Sequence, residues 1–196
     1  QDTSDSKERI SIIHVIEEIG QRAIPTIKER LTPNAPWYFL RNLAYILGRI
    51  GNEANVHVLK PLLFHKDKRV RAEAFKSIGQ IGGNKKGQLF LSVLPQADQE
   101  LKMNIIDMLG KIKCTEAVSD LLTILKDKSP IAKNEQLSLQ EKICGALGLI
   151  SSPEAIPTLT EIAESKSFLG IRSYPEEVKY AAKKALANIK KSGIKS

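Results

Sequence analysis

Glycines flanked by leucine or isoleucine recur along this chain at a fixed step of 31 residues, and few folds are open to a chain with that property. Gly79 stands in Ile78-Gly79-Gln80-Ile81-Gly82. One step earlier comes Leu47-Gly48-Arg49-Ile50-Gly51, and one step later Leu109-Gly110-Lys111-Ile112. A further step back reaches Ile16-Glu17-Glu18-Ile19-Gly20, while longer steps of 38 and 39 residues reach Leu147-Gly148-Leu149-Ile150 and Leu186-Ala187-Asn188-Ile189. The column containing Val70 reads Phe39, Val70, Leu101, Leu139 and Val178, all apolar. The next position reads Leu40, Arg71, Lys102, Gln140 and Lys179, a long polar side chain in all but the first. Such self-similarity builds stacked arrays, in which each unit buries its apolar face only on its neighbours.

Within a unit the apolar period is helical. Val70, Ala74, Ile78 and Ile81 fall at i, i+4, i+8 and i+11, one stripe on one helix. Each full unit reads as two helices, the second carrying the motif. The first helices are expected over 23–31, 55–64, 88–94, 116–125 and 154–163, with polar breaks at 32–36, 65–68 and 95–98. Gly20, Gly51 and Gly82 are expected to turn the chain through left-handed backbone after each second helix. Insertions at 129–136 and 165–175 lengthen the last two units, as loops on one face that are either elaborated for binding or neutral. The resulting domain is one array over 7–190. A leading half-unit covers 7–20, full units cover 21–51, 52–82, 83–113, 114–151 and 152–190, and residues 1–6 and 191–196 form flexible ends. The half-unit is expected to be either a cap or the edge of a piece cut from a longer array, and the absence of an initiator Met favours the second.

Hydrophobic residues at 42% against 27% charged suffice for a core. No apolar run approaches the length of a membrane span, so no membrane insertion is expected. The net charge of +8 raises a nucleic-acid reading, but the lysines and arginines form no dense block. Cys114 and Cys144 show no metal or redox spacing, and Cys144 shares a column with Phe75 and Ile106. Buried, reduced thiols and a cytoplasmic location are expected.

Asp67, Val70, Arg71, Ala74 and Ile78-Gly79-Gln80-Ile81-Gly82 together resemble the D..VR..A...LG.IG signature of HEAT repeats, in the short form known from phycobilisome-lyase-like repeats. The resemblance covers residues 7–190. It implies an all-α, right-handed α-solenoid of about five helix pairs plus the leading half-repeat, the second helices lining a concave face. It also implies that Arg71 bonds acidic or backbone groups of an adjoining unit, a ladder interrupted where Leu40 and Gln140 replace the arginine.

Side chains on the second helices outside the apolar columns are then the candidate partner-binding residues. Tyr38, Arg41, Asn42, Tyr45 and Arg49 lie at i, i+3, i+4, i+7 and i+11, on one helix face, with Trp37 just before them. Arg69, Glu73 and Lys76 continue the face in the next unit and Lys111 in the third. Aromatic residues beside arginines are the usual anchors of a protein interface; the plainer alternative packs Trp37 and Tyr38 against the preceding half-unit. His14 shares the column of Tyr45. Glu17-Glu18 and Glu176-Glu177 read as solvated faces. Gly82-Gly83-Asn84-Lys85-Lys86 lacks the strand and the GK[ST] ending of a phosphate loop and reads as a helix-ending turn. No catalytic constellation, cofactor motif or metal spacing is found. The expectation is a noncatalytic interaction or scaffold module of a larger bacterial protein, with a protein partner and no cofactor. Two alternatives stay open: a nucleic-acid-binding protein of the alkylated-base DNA glycosylase type, and a bilin lyase or lyase subunit.

Overall fold

The computed structural model describes residues 2–81, 83–127, 133–166 and 174–193, and its regular structure there is entirely helical. Contacts divide the chain into two compact units, Gln1–Leu89 and Phe90–Ser196. The first holds α1 (Asp2–Ile19), α2 (Ile24–Arg30), α3 (Trp37–Ile50), a 3-10 helix at Glu53–Phe64, α4 (Lys68–Gln80) and the start of α5 (Lys85–Val93). The second holds α6 (Gln99–Lys111), α7 (Val118–Lys126), α8 (Lys133–Ile150), α9 (Ile156–Glu164) and α10 (Glu176–Gly193). In the first unit α4 packs on both α3 and the 3-10 helix, and α1 lies on α3. In the second, α8 packs on α6, α7 and α10, and α10 on α9. The architecture is therefore all-α, built from packed helix pairs.

The apolar stripe of the motif forms the core of its unit. Val70, Ala74 and Ile78 are fully buried and Ile81 nearly so, as are Leu59 and Leu63 on the 3-10 helix that α4 packs against. Each large aliphatic side chain buried in this way contributes about 1.5–3 kcal/mol. In the first full unit the stripe is displaced. Phe39, in the Val70 column, stays 37% exposed, while Leu40, in the Arg71 column, is 1% exposed. An aliphatic residue at the polar position gains more from burial than from water, so it turns inward.

The recurrent glycines work by size. A Cβ added at Gly48 would sit 2.7 Å from the Ser77 Cβ, at Gly110 2.8 Å from the Ala146 Cα, and at Gly148 2.8 Å from the Ala185 Cα. Ser77, Ala146 and Ala185 themselves occupy one column of the repeat. Within each compact unit, neighbouring second helices thus touch where a glycine faces a small residue.

Several local expectations need correction. The helix over 53–64 is 3-10 rather than α, and it contains Pro61, which has no N–H to give an α-helical bond. Its Val56, Leu59 and Leu62 then align at the three-residue period of that helix. Gly51 is extended (φ −70°), whereas Lys113 (φ 53°) and Ser151 (φ 60°) in the same column are left-handed; Gly20 (φ 63°) follows the expectation and Gly82 lies outside the described residues. Lys113 closes α6 through two bonds, Cys114 N–H to the Leu109 carbonyl at 3.0 Å and Lys113 N–H to the Gly110 carbonyl at 3.0 Å. That closure offsets the left-handed cost of about 1–2 kcal/mol. Gly51 is required for space, because a Cβ there would collide with the Leu47 carbonyl oxygen. Part of the first insertion is helix, since α8 begins at Lys133, while residues 128–132 and 167–173 lie outside the described residues. Helix also extends beyond the expected bounds, from Asp2 at one end and to Gly193 at the other.

Two glycine substitutions separate packing from propensity. Gly145, within α8, has nothing within 4 Å of an added Cβ, so Gly145→Ala should raise stability by about 1 kcal/mol through helix propensity. Gly110→Ala gains the same propensity but presses on Ala146, with a net loss of about 1–2 kcal/mol. Urea unfolding followed by circular dichroism reads both.

Candidate functional site

The face expected to bind a partner is built on α3 and α4 of the first unit. Asp67 begins α4 as its N-cap, its Oδ1 accepting from the Arg69 N–H at 2.9 Å. The same carboxylate takes both ends of the Arg69 guanidinium, Nε to Oδ1 at 3.0 Å and Nη2 to Oδ2 at 2.7 Å. Held in this way, the guanidinium lies 3.3 Å from the centroid of the Trp37 ring. Arg41 approaches the same ring at 5.8 Å, and Tyr38 meets it edge to face at 5.9 Å. Trp37 therefore packs forward onto the first turn of α4, held by cation–π attraction. The arginine beside Asp67 holds its carboxyl at about 2, well below the ordinary 3.8.

Further along α3, Arg41, Asn42 and Tyr45 line a cleft of about 220 Å³. Glu73 of α4 lines it too, and α1 supplies Ile10, Ile13 and His14. The Arg41 Nη2 donates to the Asn42 Oδ1 at 3.3 Å. Glu73 has one carboxyl oxygen, Oε1, out of contact with water and without a hydrogen-bond partner among the described residues. A buried acceptor of that kind is uncommon in folded proteins.

The remaining candidates divide. Arg49 bonds Glu17 of α1 through Nε at 3.1 Å, and His14 Nδ1 lies 3.4 Å from the same carboxyl group, so Glu17 is a half-buried partner rather than a solvated face. Lys76 is exposed. Lys111 belongs to the second compact unit, where its Nζ is 2.6 Å from Asp107, which Lys142 also approaches at 3.8 Å. The structure thus brings Trp37, Tyr38, Arg41 and Arg69 into one cluster and Arg41, Asn42, Tyr45 and Glu73 into one cleft. Ile10 and Ile13 were missed from sequence. The period carried the signal, since stepping back 31 residues from Arg41 and Tyr45 gives Ile10 and His14.

Polar residues expected to reach neighbouring units act closer to home. Arg71 Nη1 donates to the backbone carbonyls of His65 (3.0 Å) and Lys66 (3.2 Å), within its own unit. Gln140, in the same column, donates to the Leu125 carbonyl at 3.4 Å, so the glutamine takes over the arginine's role instead of interrupting it. Asn84 and Lys85 open α5, and both their N–H groups bond the Glu53 carboxylate at 2.7 and 2.8 Å, which lowers its pKa. That turn therefore starts a helix as well as following one. Cys114 and Cys144 are buried thiols, pushed by burial to about 11 and about 12. Among the described residues no group of three or more His, Cys, Asp and Glu side chains could hold a metal, and no helix is long and apolar enough to cross a membrane.

A family model described as HEAT repeats matches residues 24–95 and 87–186. The chain belongs to the HEAT-repeat family, whose members typically serve as scaffolds for protein interaction. No match was found among curated proteins.

Since the folded pKa of Asp67 lies below its unfolded value, its bond to Arg69 adds stability above pH 3.8. That contribution fades as the pH falls toward 2. An NMR titration of the Asp67 carboxyl should show a midpoint of about 2, moving up toward 3.8 in Arg69→Ala. The same variant should change the emission of Trp37, the chain's one tryptophan.

Proposed function

We propose that the first compact unit is a noncatalytic protein-binding module that receives its partner on the face of α3 and α4. The observation that carries this reading is the prearranged cluster of Trp37, Tyr38, Arg41 and Arg69 beside the cleft. Buried or stacked aromatic and arginine side chains dominate binding energy at protein interfaces. Here the Asp67 bond and the ring stack have already ordered them, so a partner meets little entropic cost at that point. The 31-residue step supports assigning the repeats to the short, phycobilisome-lyase-like form.

The electrostatics favour a protein over a nucleic acid. Arg49 and Arg69 are each paired with a carboxylate, and Glu73 lines the cleft. A strand of phosphates would meet those carboxyl groups along the face, where affinity depends on uncompensated cations.

Arg41→Glu combined with Tyr45→Ala tests the reading by quantitative crosslink capture from the source organism's extract. At least one protein enriched by the wild type should fall about thirtyfold with the variant, the loss typical of a hot-spot residue, while the variant's thermal melt stays unchanged. Equal capture by both proteins would remove the face from consideration. Duplex DNA titrated at low salt should give no saturable signal, and binding that weakens steeply with salt would replace the protein reading with a nucleic-acid one.

A further inference from the structure

We propose that the cleft lined by α1, α3 and α4 takes the backbone of an extended peptide segment together with one aliphatic side chain. This names a partner class for the protein-binding face above and rests on that reading. The cleft offers three kinds of surface. Glu73 lines it with a carboxylate for which the described residues supply no donor. Arg41 supplies a half-buried guanidinium whose Nη2 bond goes to the neutral Asn42. Its other N–H groups, of the five a guanidinium carries, have no acceptor among the described residues. Ile10 and Ile13 supply apolar wall.

A ligand that satisfies this lining must bring a donor to Glu73, an acceptor to Arg41, and an apolar group to the isoleucines. A lone ammonium would meet Glu73 well but would be repelled by Arg41, and a lone carboxylate would meet the opposite difficulty. A peptide amide carries N–H and C=O on adjacent atoms and adds no net charge, and its own side chain provides the apolar group. The segment must be extended, because a helix has already committed its N–H and C=O groups to its own ladder. Size points the same way. A space of about 220 Å³ has room for about one residue.

The probe is the blocked peptide acetyl-Ala-Ala-Leu-Ala-Ala-amide, titrated into the whole chain and followed by NMR shifts of Asn42 and Tyr45. Three comparisons accompany it: an ester analogue that replaces the leucine N–H by oxygen, a hydrocarbon-stapled helical version, and the Glu73→Leu protein. The expected result is saturable binding of the peptide. The ester should bind about tenfold more weakly, as loss of one hydrogen bond to a charged group implies, and the stapled helix should not bind. Glu73→Leu should abolish the difference between peptide and ester, and Glu73→Gln, which retains an acceptor oxygen, should keep it. No peptide binding, equal binding of peptide and ester to the wild type, or tighter binding of the stapled helix would each overturn the proposal. If those arms fail while Arg41→Glu with Tyr45→Ala still loses its captured partner, the protein-binding face stands and only the extended-backbone class falls.

Discussion

The close approach of second helices at the glycine column is the contact on which the rest depends. Gly48 against Ser77, Gly110 against Ala146 and Gly148 against Ala185 leave no room for a β-carbon on the glycine side. Helix separation is set by the side chains at the crossing, and small residues permit the shortest distance. Once the crossing point is set, every other column of the helix has a defined neighbour. Val70, Ala74 and Ile78 face the core, and Trp37 comes to rest against Arg69. A larger residue at the crossing would alter those juxtapositions together, because packed interiors do not deform by small independent amounts.

Around that contact, polar residues mainly satisfy helix ends. Asp67 and Asp98, one period apart, cap the first turns of α4 and α6. Glu53 bonds the first N–H groups of α5, and Arg71 and Gln140 reach carbonyls at the ends of preceding helices. Each satisfies backbone groups that a helix terminus otherwise leaves without partners. Bonds such as Asn52 to Gln21 at 2.9 Å join residues 31 apart, so the period appears in the polar contacts as well as in the packing. Glu73 departs from this economy, since its Oε1 is withdrawn from water and serves no helix end. That departure is what marks the cleft.

Much of the fold was legible in the sequence because periodicity reports burial directly. The stripe from Val70 to Ile81, the two helices per unit and the buried thiol at Cys144 follow from apolar spacing. Half of the candidate site was legible too, since Tyr38, Arg41, Asn42 and Tyr45 share a helix face by spacing alone. Legibility failed where two positions of similar polarity competed or where backbone accounting decided the outcome. Phe39 and Leu40 differ by one place in an apolar pair, and burial chose the second. Gly51 reads as a left-handed turn but is extended, while Lys113 takes that conformation because Cys114 N–H and the Leu109 carbonyl close the helix end.

By itself, then, the sequence determined the class of fold, the repeat register and the set of side chains that decorate the second helices, because a 31-residue period with helical spacing admits one way to bury its apolar columns. Only the tertiary structure decided which of those side chains act together. Trp37 and Arg69 are neighbours because α3 and α4 pack in register. Arg49 belongs with Glu17, and Lys142 of α8 with the Asp107 that Lys111 bonds one turn away on α6, because ion pairs form over the few ångströms that separate facing helix surfaces. Glu73 joins Ile10, Ile13 and Arg41 around one cleft because three helices converge there. Spacing along one helix specifies its faces; which face meets which neighbour depends on how the helices pack.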